Sequence, residues 1–416
     1  MKGLFRRTKR ADGSHDRRRR RSFLIEFLRT EAGGGVTLLA ATLLALAWAN
    51  SPLSNLYEAW TTGSSGYSGW LPLDAKQWIN EGLMTVFFFI VGLEIKWEFT
   101  HGELKDPKRA ALPLAGAVGG MMLPAGIYLL INAGGAELAG WPVPMATDIA
   151  FAIGLVSLLG KLVPLPIKLF ILTLAIADDL GAVAVIAISS PEKIRIVWLA
   201  VAAACVAAAT LSRALWTRSP WTVFAVGVLV WLATFRSGVH PTVAGVALAF
   251  MIPSGPEGPV ILERFENALH PWSSFVIMPL FAIANAGVDL SSFSDAVRSR
   301  VALGVVLGLV AGKTLGIFGA AWLAVRFRLA KAPPNIRNSQ LLGAAAICGM
   351  GFTVSLFMAN LVFEGEVLAT AKMGILAGTL LSAALGSLIL WGSQRAGRRP
   401  GIESGSTPKE ASQWEI

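Results

Sequence analysis

The stretch LAIADDLGAVAVIAI, residues 174–188, places two adjacent carboxylates, Asp178 and Asp179, in the middle of an otherwise apolar run. The apolar run begins at Leu169 and is about as long as a helix must be to cross the hydrocarbon core of a bilayer. An aspartate at the centre of such a helix costs about 2.5–3.5 kcal/mol on insertion scales and therefore usually faces a bundle interior or an aqueous cavity. The stretch predicts a membrane-spanning helix with a polar site at mid-depth.

The composition places the rest of the chain in the membrane as well. Of the 416 residues 54% are hydrophobic and only 15% are charged, which is too apolar for an ordinary soluble domain. Twelve apolar stretches are candidate spans, namely 36–49, 83–93, 110–131, 143–158, 169–188, 196–211, 221–234, 242–252, 274–287, 301–325, 341–362 and 373–391. We therefore expect one all-α polytopic membrane domain over 29–394. A basic, disordered tail over 1–28 and a polar tail over 395–416 flank it.

The positive charge is distributed as in a membrane protein. The net charge is +10, and ten basic residues fall within residues 1–21, where we interpret them as a tail that contacts anionic lipid headgroups rather than nucleic acid. With twelve spans, 28 of the 36 Lys and Arg residues lie in the tails and even-numbered loops, and seven lie on the opposite side. Because basic residues accumulate on the cytoplasmic side, both termini are predicted to be cytoplasmic.

Two of the predicted spans contain residues that interrupt helices. In WPVPMATDIAFAIG, residues 141–154, two prolines remove backbone donors, and Thr147 and Asp148 are residue types that cap a new helical segment. In GAAAICGMGFTVSLF, residues 343–357, Gly349 and Gly351 flank a methionine in an uncharged span. Each break alone is compatible with a simple kink. Two breaks, in the fourth and eleventh spans, are typical of transporters whose binding site lies near the midplane.

Lys313 is the only charged residue between Val301 and Val325, in LGVVLGLVAGKTLGIFGAAW. An ammonium at that depth needs a partner, and the intramembrane carboxylates are the candidates; the alternative is that the lysine reaches a membrane surface. Glycines at four-residue spacing allow another helix to approach closely, and we expect this face to bring Lys313 to the helix of Asp178 and Asp179. The glycines are Gly304, Gly308, Gly312 and Gly316.

The side chains at depth carry hard oxygens. Asp178, Asp179 and the Thr147 hydroxyl, with the carbonyls that the helix breaks release, suit hard cations rather than soft transition metals. No HExxH, CxxC or GxxxxGK[ST] motif accompanies them, so neither a cofactor nor an enzymatic reaction is expected. The same oxygens can hold protons or a small cation, and this competition gives exchange if the site opens to one side at a time.

The segments VGLEIK, MATDIAFAIG, LAIADDLGA, SGVHPTVAGV, ALHPW, PLFAIANAGV, GKTLGI and GMGFT occur in this order. Together they resemble the NhaA-type bacterial sodium/proton antiporters over about residues 29–394. The resemblance implies a twelve-helix protein of the bacterial inner membrane with inverted-topology repeats, in which the fourth and eleventh helices are unwound and cross. It further implies electrogenic exchange that is activated at alkaline pH, and a homodimer with a hairpin in the first outside loop.

The resemblance also implies roles for individual residues. Asp179 is expected to be the principal ligand of Na⁺ or Li⁺, with Asp178 as second ligand and proton carrier. Thr147 and Asp148 are expected at the crossing of the broken helices, with Thr147 a further ligand. Lys313 is expected to pair with a residue of the acidic pair.

Four titratable residues at the predicted cytoplasmic mouth are implied to set the pH response: Glu94, Glu98, Glu266 and His270. From the residues alone, the carboxylates at the span ends are equally consistent with a solvated mouth, and a lone histidine with a structural role. The chain departs from the family at two nearby positions. Trp97 stands where a second basic residue is common, and Asn267 where some members have histidine. These departures bear on the pH profile and leave the predicted transport site unchanged.

Three other functions also place carboxylates in a membrane. A sodium-coupled solute symporter is the nearest alternative and would show solute-dependent sodium uptake without proton counterflow. An intramembrane aspartyl protease places its aspartates on different helices, and the chain has no GxGD sequence. A passive cation channel would conduct without coupling to pH.

Overall fold

The structure is a computed structural model and describes residues 30, 32–62, 73–188, 194–211, 220–252, 258–331 and 336–397. Within these residues the chain is helical and contains no strand. The predicted tails lie outside the described residues, except for 395–397, and so does segment 63–72 of the loop expected to form a hairpin.

In the described part of the chain, six helices are long and apolar enough to cross a membrane: Ala32–Ala49, Ala75–Thr100, Pro107–Ile131, Leu165–Ile188, Arg300–Arg326 and Gly365–Arg395, the last continuing to Gly397. Two bent pairs, Ala136–Met145 with Ile149–Leu158 and Asn338–Ile347 with Phe352–Val362, raise the number of candidate spans in the described residues to eight. Shorter helices are Ser54–Thr62, Ile196–Leu211, Pro220–Ser237, Thr242–Met251, Gly258–Trp272, Met278–Asn285 and Phe293–Arg298.

Four predicted spans correspond to elements outside these eight. Three are the apolar helices Ile196–Leu211, Trp221–Ser237 and Thr242–Met251, which are shorter than a full crossing. The fourth, 274–287, is the end of a longer helix, because Gly258–Trp272 continues through the π-helical stretch Ser273–Ile277 into Met278–Asn285. The count of twelve spans therefore remains a prediction, whereas the polytopic helical architecture is observed.

Apolar side chains cover the outside of the bundle as well as its interior. On Pro107–Ile131, for example, Met122 is 70% exposed and Leu130 is 78% exposed. Such apolar surface in a soluble protein would be a large exposed patch, whereas it matches the hydrocarbon of a bilayer.

The helix that carries Lys313, Arg300–Arg326, packs chiefly against Pro107–Ile131. A Cβ at Gly316 would collide with the carbonyl oxygen of Gly119, and a Cβ at Gly312 would lie 2.8 Å from Cα of Pro124. The predicted close approach along the glycine face is thus present, and Lys313 reaches the helix of the two aspartates as predicted, although the glycines themselves pack on a different helix. The glycines face Pro107–Ile131 and not the helix of the two aspartates, because the small residues of Pro107–Ile131 complete the contact.

Candidate functional site

The two predicted helix breaks face each other inside the bundle. The first pair bends by 42° and the second by 45°. Main-chain and side-chain hydrogen bonds join them: the Asp148 N–H donates to the Met350 carbonyl at 2.6 Å, and the Ser355 hydroxyl donates to the Val143 carbonyl at 2.7 Å. The breaks leave these backbone groups without hydrogen-bond partners in their own helices, and each broken pair supplies such partners to the other.

Proline and glycine account for the two breaks. Pro142 directly precedes the short 3₁₀ helix Val143–Met145 and Pro144 lies within it, after which the chain is extended at Ala146 and Asp148. At the second break, a Cβ on Gly351 would lie 2.8 Å from the Ala146 carbonyl oxygen, so only glycine permits the two chains to approach this closely. The positions of both breaks were predicted correctly from the sequence.

Asp148 caps both half-helices that start at the breaks. Its Oδ1 accepts a hydrogen bond from the N–H of Phe151 at 3.0 Å, and its Oδ2 accepts one from the N–H of Thr353 at 2.8 Å. The residue is 1% exposed. Helix N-termini are partly positive, so the two ends together stabilise the buried carboxylate of Asp148.

Lys313 forms a buried ion pair with Asp178, as expected from its depth in the membrane. Its ammonium donates to Oδ2 of Asp178 and, at 2.8 Å, to the hydroxyl of Thr147. The Thr147 hydroxyl lies 2.8 Å from the same Asp178 oxygen and 2.9 Å from the Cys348 carbonyl, and it donates its proton to one of them. Lys313 and Thr147 are fully buried, so this network is closed to solvent.

Asp179 is arranged differently from Asp178, although it follows it directly. It is 2% exposed, and its carboxylate forms no hydrogen bond or ion pair with the described residues. Neighbouring helical residues point about 100° apart, and the two aspartates accordingly have different surroundings. Asp178 lies beside three methionines, Met121, Met145 and Met358.

The Asp179 cavity has a volume of about 30 Å³, which is room for about one water molecule. Its polar lining includes Thr147 and Thr353 beside Asp179, and Glu94 and His270 further along. Two of the four predicted pH-response residues therefore share a cavity with Asp179. Both are largely buried.

Glu266 and Glu98 do not line the Asp179 cavity. Glu266 lies on the amphipathic helix Gly258–Trp272, outside the candidate spans, and is 4% exposed. Its pKa is raised from 4.5 to about 7: burial raises it most, His270 lowers it, and Glu263 and Glu98 raise it. Glu98 Oε2 accepts the N–H of Glu103 at 2.9 Å. Glu266 is thus a group that titrates near neutral pH beside the cavity lining.

The two departures from the family have visible local consequences. The Trp97 ring stacks on His101 with centroids 4.6 Å apart, and the Thr100 hydroxyl lies 2.7 Å from Nδ1 of His101. Asn267 is exposed. Neither residue lines the Asp179 cavity.

A larger cavity, of about 350 Å³, is lined in part by residues of the half-helix Phe352–Val362. Its lining includes Glu81, His240 and Phe357. His240 Nε2 is 3.5 Å from Glu81 Oε2, and its ring meets Phe357 edge-on at 5.1 Å. Phe357 is 2% exposed and lies one helical turn beyond Thr353, which lines the Asp179 cavity. One turn of helix therefore separates the two cavities.

Sequence reasoning missed Thr353 as a site residue. Its N–H bonds Asp148, and its side chain lines the cavity of Asp179. The available signal was its position, two residues after Gly351, where a half-helix that starts at a break presents its first side chains to the break.

Comparison with known proteins shows the family of the chain. The family model described as Na+/H+ antiporter 1 matches residues 25–390. The chain is 46% identical over 391 residues to the Na(+)/H(+) antiporter NhaA of Rhodospirillum rubrum, covering 89% of this chain and 98% of the relative. It is 43% identical to the NhaA of Koribacter versatilis, covering 88% and 90%, and 44% identical to NhaA 1 of Pseudomonas putida, covering 88% and 95%. This multi-pass membrane protein therefore belongs to the Na+/H+ antiporter 1 family.

Proposed function

We propose that this protein exchanges Na⁺ or Li⁺ for H⁺ by alternating access, with cation and protons competing for the buried aspartate pair. The observation that carries the proposal is the unequal surroundings of the pair: Asp178 pairs with Lys313, whereas the Asp179 carboxylate has no hydrogen-bond or ion-pair partner among the described residues. The relatives are named as exchangers of these two ions, Na⁺ and H⁺, which supports the same cargo here.

The balance of charge at the crossing favours binding of a cation at Asp179. Two half-helix N-termini stabilise Asp148, and Lys313 compensates Asp178. Asp179 is the remaining carboxylate, and a buried charge without a partner is costly. A sodium ion or a proton at Asp179 removes that cost, and the two cannot both occupy the same oxygens.

Exchange at this site is electrogenic. In our proposal one Na⁺ binds with Asp179 as principal ligand and Asp178 and Thr147 as further ligands. When Na⁺ leaves, Asp179 takes one proton and Asp178 takes a second while its contact with Lys313 loosens. Two protons then enter for each sodium ion that leaves, and each cycle moves one net positive charge inward.

The two cavities support alternating access. The cavity of Glu94 and His270 reaches Asp179, and the cavity of Glu81 and His240 ends at Phe357. In the proposed topology the protein lies in the bacterial inner membrane with the first cavity on the cytoplasmic side. Twelve spans in inverted repeats form the domain over 29–394, the tails over 1–28 and 395–416 are cytoplasmic, and the protein works as a homodimer.

We assign the pH response to Glu94, Glu98, Glu266 and His270. A pKa of about 7 for Glu266 means that its charge changes across the neutral range. Deprotonation of Glu266 adds a negative charge near Glu94 and Glu98, beside the cytoplasmic cavity. This charge attracts cations into the cavity.

Proteoliposomes that contain the purified protein and a pH-sensitive dye test the proposal. We expect sodium- and lithium-dependent proton efflux from acid-loaded vesicles, a stronger response at alkaline pH, and stimulation by a compensating membrane potential. Asp179→Asn removes the charge at nearly constant size and should abolish the efflux. Asp289→Asn, at an exposed residue whose side chain accepts the Ser291 N–H, is the matched control and should retain it.

Unchanged exchange in Asp179→Asn would refute the site. The sodium-coupled symporter remains the alternative function, and it would require solute-dependent sodium uptake with no proton movement in the same vesicles.

A further inference from the structure

We propose that the hydroxyl of Thr353 is a direct ligand of the transported cation, beside Asp179. This inference rests on the proposed function, since it names a further ligand at the same site. It starts from two buried oxygens, Oδ1 of Asp179 and Oγ1 of Thr353, neither of which has a hydrogen-bond partner among the described residues. Both residues are 2% exposed, and both line the cavity of about 30 Å³.

Buried polar atoms without partners are rare in folded proteins, and each calls for an explanation. A carboxylate oxygen can only accept a hydrogen bond or bind a cation. A hydroxyl in the same cavity can complete a coordination shell with an uncharged oxygen, as hard cations prefer. A monovalent alkali cation between the two oxygens satisfies both at once.

Thr147, the hydroxyl that the sequence singled out, is more fully committed. Its oxygen accepts the Lys313 ammonium, and its proton goes to Asp178 or to the Cys348 carbonyl. A hydroxyl has one proton and two lone pairs, so only one lone pair of Thr147 remains. Thr353 has its full capacity available within the described part of the chain.

The backbone holds Thr353 in place independently of its side chain. Its N–H donates to Asp148 Oδ2 at 2.8 Å, two residues after the close approach of Gly351 to Ala146. A β-branched side chain in a helix has few rotamers, so the oxygen is presented with little loss of freedom on binding. A substitution that keeps the branched shape should therefore change the ligand and leave the break intact.

Thr353→Val tests the proposal, because valine keeps the shape and the backbone N–H and removes the oxygen. We expect the KM for Na⁺ in proteoliposomes to rise about tenfold, which corresponds to about 1.4 kcal/mol, with a maximal rate within about twofold of the unmodified protein. Thr353→Ser restores the oxygen and should return the KM to within about twofold of its original value.

Thr379→Val is the matched control. Thr379 also has a buried hydroxyl without a partner among the described residues, but it lies on Gly365–Gly397 and does not line the Asp179 cavity. Its KM should not change. A normal KM in Thr353→Val, or an equal increase in both valine variants, would overturn the assignment.

Thr353→Cys keeps the test decisive if the valine variant does not fold. A thiolate at the site would bind a soft cation, so we expect a raised KM for Na⁺ together with inhibition by micromolar Cd²⁺ that the unmodified protein does not show. A normal KM without Cd²⁺ sensitivity would refute the proposal. Absence of sodium-dependent proton movement in the unmodified protein would instead refute the proposed function. Failure of the Thr353 assignment and failure of the proposed function are therefore distinguishable.

Discussion

Replacing Lys313 by methionine should destabilise the protein strongly, because Lys313 is the cation paired with Asp178. Lys313 is 0% exposed and Asp178 1% exposed, so solvent screens neither charge. Removing one partner of a buried ion pair typically costs about 3–5 kcal/mol, since the other charge stays buried without compensation. The hydroxyl of Thr147 would lose a donor as well.

A double-mutant cycle separates this effect from lost packing. Asp178→Asn combined with Lys313→Met removes both charges, so we expect the double variant to be more stable than Lys313→Met by about 2 kcal/mol or more. Lys96→Met serves as a second comparison, because among the described residues the buried Lys96 ammonium donates only to the carbonyls of Phe250 and Ile252. Its loss should cost about 1–3 kcal/mol.

The assay is denaturant unfolding in detergent, followed by the fluorescence of the 14 tryptophans, with thermal melting as an independent ranking. The expected order of stability is the unmodified protein, then Lys96→Met and the double variant, and last Lys313→Met. An Lys313→Met variant that unfolds at the same denaturant concentration as the unmodified protein would refute the ion pair as a stabilising contact.

Three further predictions follow from the described contacts. The pKa of Glu266 is raised from 4.5 to about 7, so its contribution to stability should be full below pH 4.5 and should be lost as the pH rises through 7. The loss amounts to about 3 kcal/mol in all. The unfolding free energy of Glu266→Gln should therefore depend less on pH across this range than that of the unmodified protein. Gly316→Ala should destabilise by about 1–3 kcal/mol, because its Cβ meets the Gly119 carbonyl, whereas Gly319→Ala, with open space, should be neutral or stabilising in the same melting assay. Asp148→Ala removes the caps of two half-helices and should cost about 2 kcal/mol at about 1 kcal/mol per cap, measured by denaturant unfolding; a loss below about 0.5 kcal/mol would contradict the double cap.

The unequal surroundings of the two aspartates also bear on how exchange is coupled. Asp178 shares its Oδ2 between Lys313 and Thr147, and Thr147 contacts the carbonyl at the second break. A change in the charge of Asp178 therefore alters hydrogen bonds at both helix breaks. The Asp179 carboxylate forms no hydrogen bond to the described residues, so in our proposal its occupant is coupled to the broken helices through the shared ligands Thr147 and Thr353.

Much of this protein could be predicted from its sequence, because the predictions rest on the chemistry of single residues and short segments. Apolar length predicts spans because the bilayer has a defined thickness, and prolines and glycines predict breaks because they remove a donor or a side chain at that residue. An ammonium at the depth of Lys313 predicts a carboxylate partner, because an unpaired charge inside a membrane is costly. None of these predictions requires knowledge of which helices are neighbours.

Which helices are neighbours was decided only by the tertiary structure. The glycine face of the Lys313 helix packs on Pro107–Ile131, because the small residue Gly119 on that helix matches it. The choice of Asp178 rather than Asp179 as the partner of Lys313, and the placing of Thr353 beside Asp179, depend on the rotation of three helices about their axes. Periodicity along one helix does not determine that rotation, since it is determined by the side chains of all the helices that pack together.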